Sequence, residues 1–146
     1  METKTLKVQC SESFQKGKDY IAGQLHAHAS STDEAIQHLI LSTYQKPKAD
    51  GLGIGYYTLE MHVKPLQSLL DGQQLLGTRD IQYCALMVSY RAAGVKYCVA
   101  YYKARGWNVV PLNGALALAN KGISLVQEAI KRVDTDWVDG EGPDGC

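Results

Sequence analysis

The sequence predicts an α/β or α+β fold in which a small mixed sheet of about four strands packs with three or four helices. Two observations favour this fold. Short segments of alternating or β-branched and aromatic residues, typical of strands, occur between longer segments whose apolar residues recur at helical spacing. The longest apolar segment, residues 78–98, contains two of the four cysteines, and its residues 78–93 form the predicted central helix.

The first third of the chain is predicted to form two strands and then a helix. Residues 6–10 alternate between apolar and polar side chains, which indicates a strand with one buried face. Residues 19–28 fit either a strand or a helix, and a strand is favoured because a helix-start signal follows them. Ser31 and Glu34 form that signal, a capping box, and the helix is expected to end just before Pro47.

The middle of the chain is predicted to contain a strand and two helices. Residues 54–63 are rich in aromatic and β-branched side chains, which indicates a strand. A short helix is then expected from Pro65 to Gly77. The next helix, residues 78–93, is apolar nearly all round, so it is expected to be buried and to end at Gly94.

The last third is predicted to contain one long helix. Residues 95–102 suit a strand or a helix almost equally, and residues 107–112 suit a short strand late in the sheet or at its edge. From Gly114 to Val133, apolar residues recur at steps of three and four, which predicts a long amphipathic helix.

Composition indicates one globular domain, residues 1–133, followed by an acidic, glycine-rich tail, residues 134–146. The 15 basic residues balance the 15 acidic ones, so no overall field attracts nucleic acid or anionic lipid. No apolar run reaches the roughly 18 residues that a membrane span needs, and the N-terminus does not resemble a signal peptide. These features predict a cytoplasmic or virion-associated protein with no nucleic-acid partner.

One candidate catalytic residue is Cys84, in the segment YCALMVSYRAAGV at residues 83–95. This segment resembles the nucleophile helix of papain-like cell-wall cysteine amidases and peptidases of the CHAP type. The resemblance implies a thiol-dependent hydrolase of peptidoglycan or peptide amides, with Cys84 as nucleophile and His62 or His26 as base. Core packing is the alternative role for this cysteine, since cysteine is often fully buried.

A second candidate site involves the histidines. On a strand, His26 and His28 would project to the same side, a spacing that suits zinc or iron, and Glu60 with His62 on another strand could complete the ligand set. This pattern gives the hypothesis of a small-ligand or metal-binding module. Exposed histidines without a metal are the alternative, and no other cofactor is predicted.

The third functional hypothesis comes from the aromatic residues. The chain has nine tyrosines and two tryptophans, with adjacent pairs at Tyr56 and Tyr57 and at Tyr101 and Tyr102. Exposed aromatic side chains are favoured at protein interfaces. The sequence therefore also suits a non-catalytic subunit of a homo-oligomer, such as a virion component, and the substrate of any enzymatic activity is not indicated.

Overall fold

The fold is all-helical. The computed structural model describes residues 4–48, 51, 53–73 and 78–136, with backbone only at 78–80 and 134–136. The described part contains five α-helices and one 3-10 turn and no strand: α1 (Leu6–Ala27), α2 (Asp33–Tyr44), α3 (Ile54–Leu70), α4 (Thr78–Ala104), the turn (Val110–Leu112) and α5 (Asn113–Asp136). The predicted α/β or α+β fold with a sheet of about four strands is therefore wrong.

The first predicted strand, residues 6–10, is the start of α1. Leu6 and Cys10 are buried at 0% and 4% exposure, whereas Val8 between them is 45% exposed. The buried residues are therefore four apart, as one face of a helix requires, and not two apart as in a strand. Residues 19–28, where the strand was favoured, also belong to α1 as far as Ala27.

The predicted strand at residues 54–63 is the first part of α3. Tyr56, Leu59 and Val63 are buried at intervals of three and four, while Tyr57 and Met61 are exposed. This helical burial outweighs the β preference of the side chains, which depends strongly on context. The predicted helix start at Pro65 is also wrong, because this proline lies inside α3.

Helix α4 lies at the centre of the fold and contacts each of the other four α-helices. The predicted helix at residues 78–93 is present, but it continues through Gly94 to Ala104 and includes residues 95–102. A Cβ on Gly94 would lie 2.9 Å from Ile21 Cγ1 of α1. Gly94 therefore permits close helix packing and does not terminate the helix.

The link between α4 and α5 replaces the predicted strand at residues 107–112. Gly106 has a φ of 78°, and Trp107 then packs edge-on against Tyr102 with ring centroids 4.8 Å apart. Residues 110–112 form the 3-10 turn. The long helix predicted from Gly114 to Val133 is confirmed as α5, whose buried side includes Ala119, Val126 and Val133.

Two short local signals position α2 and α3. Thr32 caps α2, its Oγ1 accepting a hydrogen bond from the Ala35 amide at 3.2 Å, in place of the predicted capping box of Ser31 and Glu34. Gly53 precedes α3 with a φ of 95°, and a Cβ there would lie 2.4 Å from the Gln45 carbonyl oxygen. Only glycine meets both conditions without strain.

Some predictions concern residues outside the described part. Gly77 and residues 137–146 fall there, so most of the predicted tail stays a prediction. The predicted helix end at Gly77 is wrong, because α3 ends at Leu70 and Asp71 caps it. Helix α5 itself extends into the predicted tail as far as Asp136. Among the described helices, none combines the length and apolarity needed to cross a membrane.

Candidate ligand-binding cleft

A cleft of about 370 Å³ lies between α1, α2, the start of α3 and the middle of α4. Its volume falls in the range of roughly 300–1,000 Å³ that is typical of small-molecule sites. The wall is largely apolar, and its aliphatic part is formed by Ile21, Leu25, Leu39, Ile40 and Ile54. Burial of such side chains against a ligand supplies affinity without fixing its orientation.

Small residues shape the wall that α1 and α4 share. At Gly17, a Cβ would lie 2.1 Å from the Tyr90 carbonyl oxygen, so the two helices meet almost backbone to backbone. One turn further along α4, the missing side chain of Gly94 lets Ile21 and the Tyr44 hydroxyl pack close to the helix backbone. Both glycines line the cleft, which therefore has a fixed wall of packed helices.

Several polar side chains also line the cleft. They come from α2, from α4 and from the residue that follows α1, and they include His28, Thr43, Tyr44, Tyr90, Arg91 and Cys98. Of these residues, Arg91 carries a positive charge, and none of the described residues that line the cleft is Asp or Glu. The cleft is therefore an apolar space with a few convergent polar groups and a positive electrostatic bias.

Tyr44 and Cys98 are both protonated at neutral pH. Burial of the Tyr44 phenol raises its pKa, the neighbouring Cys98 raises it further, and the Arg91 cation lowers it. Burial raises the pKa of Cys98 to about 12. The phenol is therefore a hydrogen-bond donor, and the Cys98 thiol is poorly suited to act as a nucleophile because nucleophilic attack requires the thiolate.

Arg91 carries the charge of the cleft. Its Cζ lies 5.6 Å from the centroid of the Tyr90 ring, a cation–π arrangement that orients the guanidinium. Its Nε is buried and has no hydrogen-bond partner among the described residues. A buried donor without an acceptor costs about 1–3 kcal/mol, so such atoms are rare in folded proteins.

The predicted nucleophile, Cys84, and its predicted bases, His62 and His26, lie outside this cleft. Cys84 is 7% exposed and lies in the second turn of α4. A helix dipole lowers the pKa of a thiol in the first turn, and Cys84 lies beyond that turn. His62 packs near Tyr83, with ring centroids 6.4 Å apart, and its Nδ1 is 2.8 Å from the Thr58 carbonyl oxygen. The amidase hypothesis stays a prediction, and this geometry adds no support to it.

His26 and His28 are not arranged as the metal hypothesis requires. His26 lies in the last turn of α1 and His28 is the residue that caps it, so no strand projects the two imidazoles to one side. Glu60, the predicted additional ligand, pairs instead with Lys64 at 3.6 Å. Within the described residues, no group of three or more His, Cys, Asp or Glu is placed to hold a metal ion. Of these histidines, only His28 lines the cleft.

Sequence reasoning missed Tyr44, Arg91 and Cys98 as site residues. One signal was present, because Arg91 is the single charged residue between Ile81 and Val95 in an apolar helix. A charge in a buried segment calls for a partner. The sequence has no local signal that Tyr44 lies near Arg91, because this proximity depends on how α2 lies against α4.

The chain matches no family model, no curated protein and no solved structure. Its class is therefore defined by the fold alone, an all-α protein with a cleft between its helices.

Proposed function

We propose that this protein is a helical module that binds a small molecule in the cleft between α1, α2, α3 and α4. The observation that supports the proposal is the cleft itself, which has the volume of a small-molecule site and an aliphatic wall with a few polar groups. No nucleophile or metal cluster is needed for this function. The proposal retains the small-ligand hypothesis that came from the sequence. It does not use His26 and His28 as a pair of ligand-binding residues.

The proposed ligand enters at the exposed rim and is held by the buried wall. Tyr20 and Ile54 are 53% and 73% exposed and both line the cleft, so they form its rim. Deeper in the cleft, Leu25 and Ile40 are nearly fully buried and supply apolar contact. The Tyr44 phenol supplies a directional donor, which fixes the orientation of the ligand.

An uncharged fluorescent dye tests this function. N-phenylnaphthylamine is expected to bind saturably with one molecule per chain, because its aromatic rings match the aliphatic wall. Gln24→Trp on α1 and Thr43→Trp on α2 each place a large ring beside the cleft, and each should weaken binding by about tenfold or more. Fluorescence titration measures both affinities.

The matched control is Lys18→Trp, at an exposed position of α1 that does not line the cleft. This variant should bind the dye as the unmodified protein does. Dye fluorescence that does not saturate, or equal binding by all three variants, would contradict the proposed site.

We also propose self-association as a second candidate function, because α3 presents an exposed apolar stripe. Ile54, Tyr57 and Met61 are 73%, 57% and 51% exposed and recur at helical spacing. Contiguous exposed apolar residues are typical of interfaces, and the sequence-based hypothesis of a homo-oligomer is consistent with them.

Sedimentation velocity over a range of concentrations tests self-association. The unmodified chain should form a larger species as its concentration rises, and Tyr57→Glu with Met61→Glu should remain monomeric because two carboxylates would be desolvated at the interface. Val8→Glu, at a 45% exposed position on α1, is the control and should associate normally. A monomer at every concentration tested would exclude this function.

A further inference from the structure

We infer that the ligand of the cleft is an organic acid, with an apolar or aromatic body and an anionic oxygen group that pairs with the Arg91 guanidinium. The inference rests on the proposed function, since it specifies the chemistry of the molecule that the cleft binds. It goes beyond that function in assigning a recognition residue and the charge of the ligand.

The first argument is the unpaired charge of Arg91. Arg91 Nε is inaccessible to solvent and has no acceptor in the described part of the chain. The described residues form ion pairs between Lys4 and Glu12, Glu60 and Lys64, Asp33 and Arg105, and Glu128 and Arg132, and Arg91 takes part in none of them. A carboxylate or another oxyanion that enters the cleft would supply the missing counter-charge for the guanidinium.

The second argument is the charge of the wall. Arg91 is accompanied by His28, and no acidic side chain is found among the described lining residues. A cation would meet the guanidinium without a compensating carboxylate, whereas an anion would meet a complementary charge. The low polarity of the surrounding wall strengthens this interaction relative to the same contact in water.

The third argument is the position of two tyrosine side chains beside the Arg91 guanidinium. The Tyr90 ring lies beneath the guanidinium at 5.6 Å, and the Tyr44 phenol is close enough for the Arg91 cation to lower its pKa. A neutral phenol beside the cation adds a second donor to the same acid group. The aliphatic side chains of Ile21, Leu25 and Leu39 lie along the rest of the cleft, where an apolar body fits.

Two dyes with the same ring system separate this inference from the proposed function. Anilinonaphthalene sulfonate carries an anionic group that N-phenylnaphthylamine lacks. The sulfonate dye should bind the unmodified protein about tenfold more tightly or better, because a hydrogen bond to a charged group is worth more than one between neutral groups. Fluorescence titration of both dyes gives the ratio of affinities.

Substitution of Arg91 tests the residue itself. Arg91→Met should weaken the sulfonate dye by about tenfold or more and leave N-phenylnaphthylamine unchanged. Arg91→Lys retains the charge without the planar guanidinium and should give an intermediate loss. Lys96→Met removes a cation at an exposed position of α4 outside the cleft and should affect neither dye.

A stability measurement distinguishes recognition from a structural role. Arg91→Met removes a buried donor that has no acceptor in the described chain, so the ligand-free variant should have a denaturation midpoint no lower than that of the unmodified protein. A lower midpoint together with equal loss of both dyes would assign Arg91 a structural role and overturn the inference.

The outcomes also separate the two proposals. If the uncharged dye saturates and the sulfonate dye binds no more tightly, the inference of an organic acid fails while the cleft remains a binding site. If neither dye binds saturably, the proposed function fails and this inference fails with it. Equal losses in Arg91→Met and Lys96→Met would show a nonspecific effect of charge and would overturn the role of Arg91.

Discussion

Gly17→Ala is expected to destabilise the protein by about 2–3 kcal/mol, because overpacking of a close contact typically costs about 1–3 kcal/mol and here the obstacle is backbone. A Cβ at this position would lie 2.1 Å from the Tyr90 carbonyl oxygen of α4. That oxygen cannot move like the end of a flexible side chain, so the helix α1 must shift away from α4. The free energy of unfolding, measured by urea denaturation, gives the loss.

Gly23→Ala is the matched control for Gly17→Ala. Gly23 lies in the same helix, and a Cβ there would have nothing within 4 Å. Alanine is favoured over glycine in a helix interior by about 0.5–1 kcal/mol, so this variant should be more stable than the unmodified protein. The two identical substitutions should therefore act in opposite directions, and a similar change in both would contradict the close approach of α1 and α4. Because Gly17 also lines the cleft, the shift of α1 should weaken dye binding as well.

Leu66→Ala is expected to lower the free energy of unfolding by about 2–5 kcal/mol, since it removes buried methyl groups and leaves a cavity. Leu66 is 0% exposed and belongs to the hydrophobic core, on the face of α3 that also contains Leu59 and Val63. The loss should appear as a lower urea midpoint with an unchanged dependence on denaturant concentration.

Met61→Ala on the same helix is the control for Leu66→Ala. Met61 is 51% exposed, so its truncation should change stability by no more than about 0.5 kcal/mol when measured in dilute solution, where self-association is avoided. Equal losses in the two variants would contradict the orientation of α3. A strand at residues 54–63, as the sequence predicted, would place Met61 on the same face as Leu59 and Val63, so its truncation would then cost as much as that of a buried residue.

The elements that the sequence predicted well are those with a strong helical period. The steps of three and four from Gly114 to Val133 identified α5, and Pro47 marked the end of α2. Where the periodic pattern of apolar residues was short or mixed, the local β preference of the side chains led to wrong predictions. Residues 54–63 carry β-forming side chains, but the buried spacing of Tyr56, Leu59 and Val63 is helical.

The candidate site could be predicted only in part. The sequence predicted a metal-binding role for His28, and His28 does line the cleft. It does not pair with His26 on a strand, because His26 lies in α1 and His28 caps that helix. Tyr44, Arg91 and Cys98 were not identified, because Tyr44 and the other two residues belong to different helices. Their proximity depends on contacts between helices, for which a single sequence has no local pattern.

By itself, the sequence determined the balanced charge, the amphipathic course of α5 and the end of α2, because composition, side-chain period and proline geometry act within a few residues. The tertiary structure alone decided that the predicted strands at residues 6–10 and 54–63 are helical and that Gly17 and Gly94 allow α1 to approach α4. It also decided that α2 brings Tyr44 to the same cleft as Arg91. The physical reason is that burial selects among nearly equal local preferences, and burial is a property of the whole packed chain.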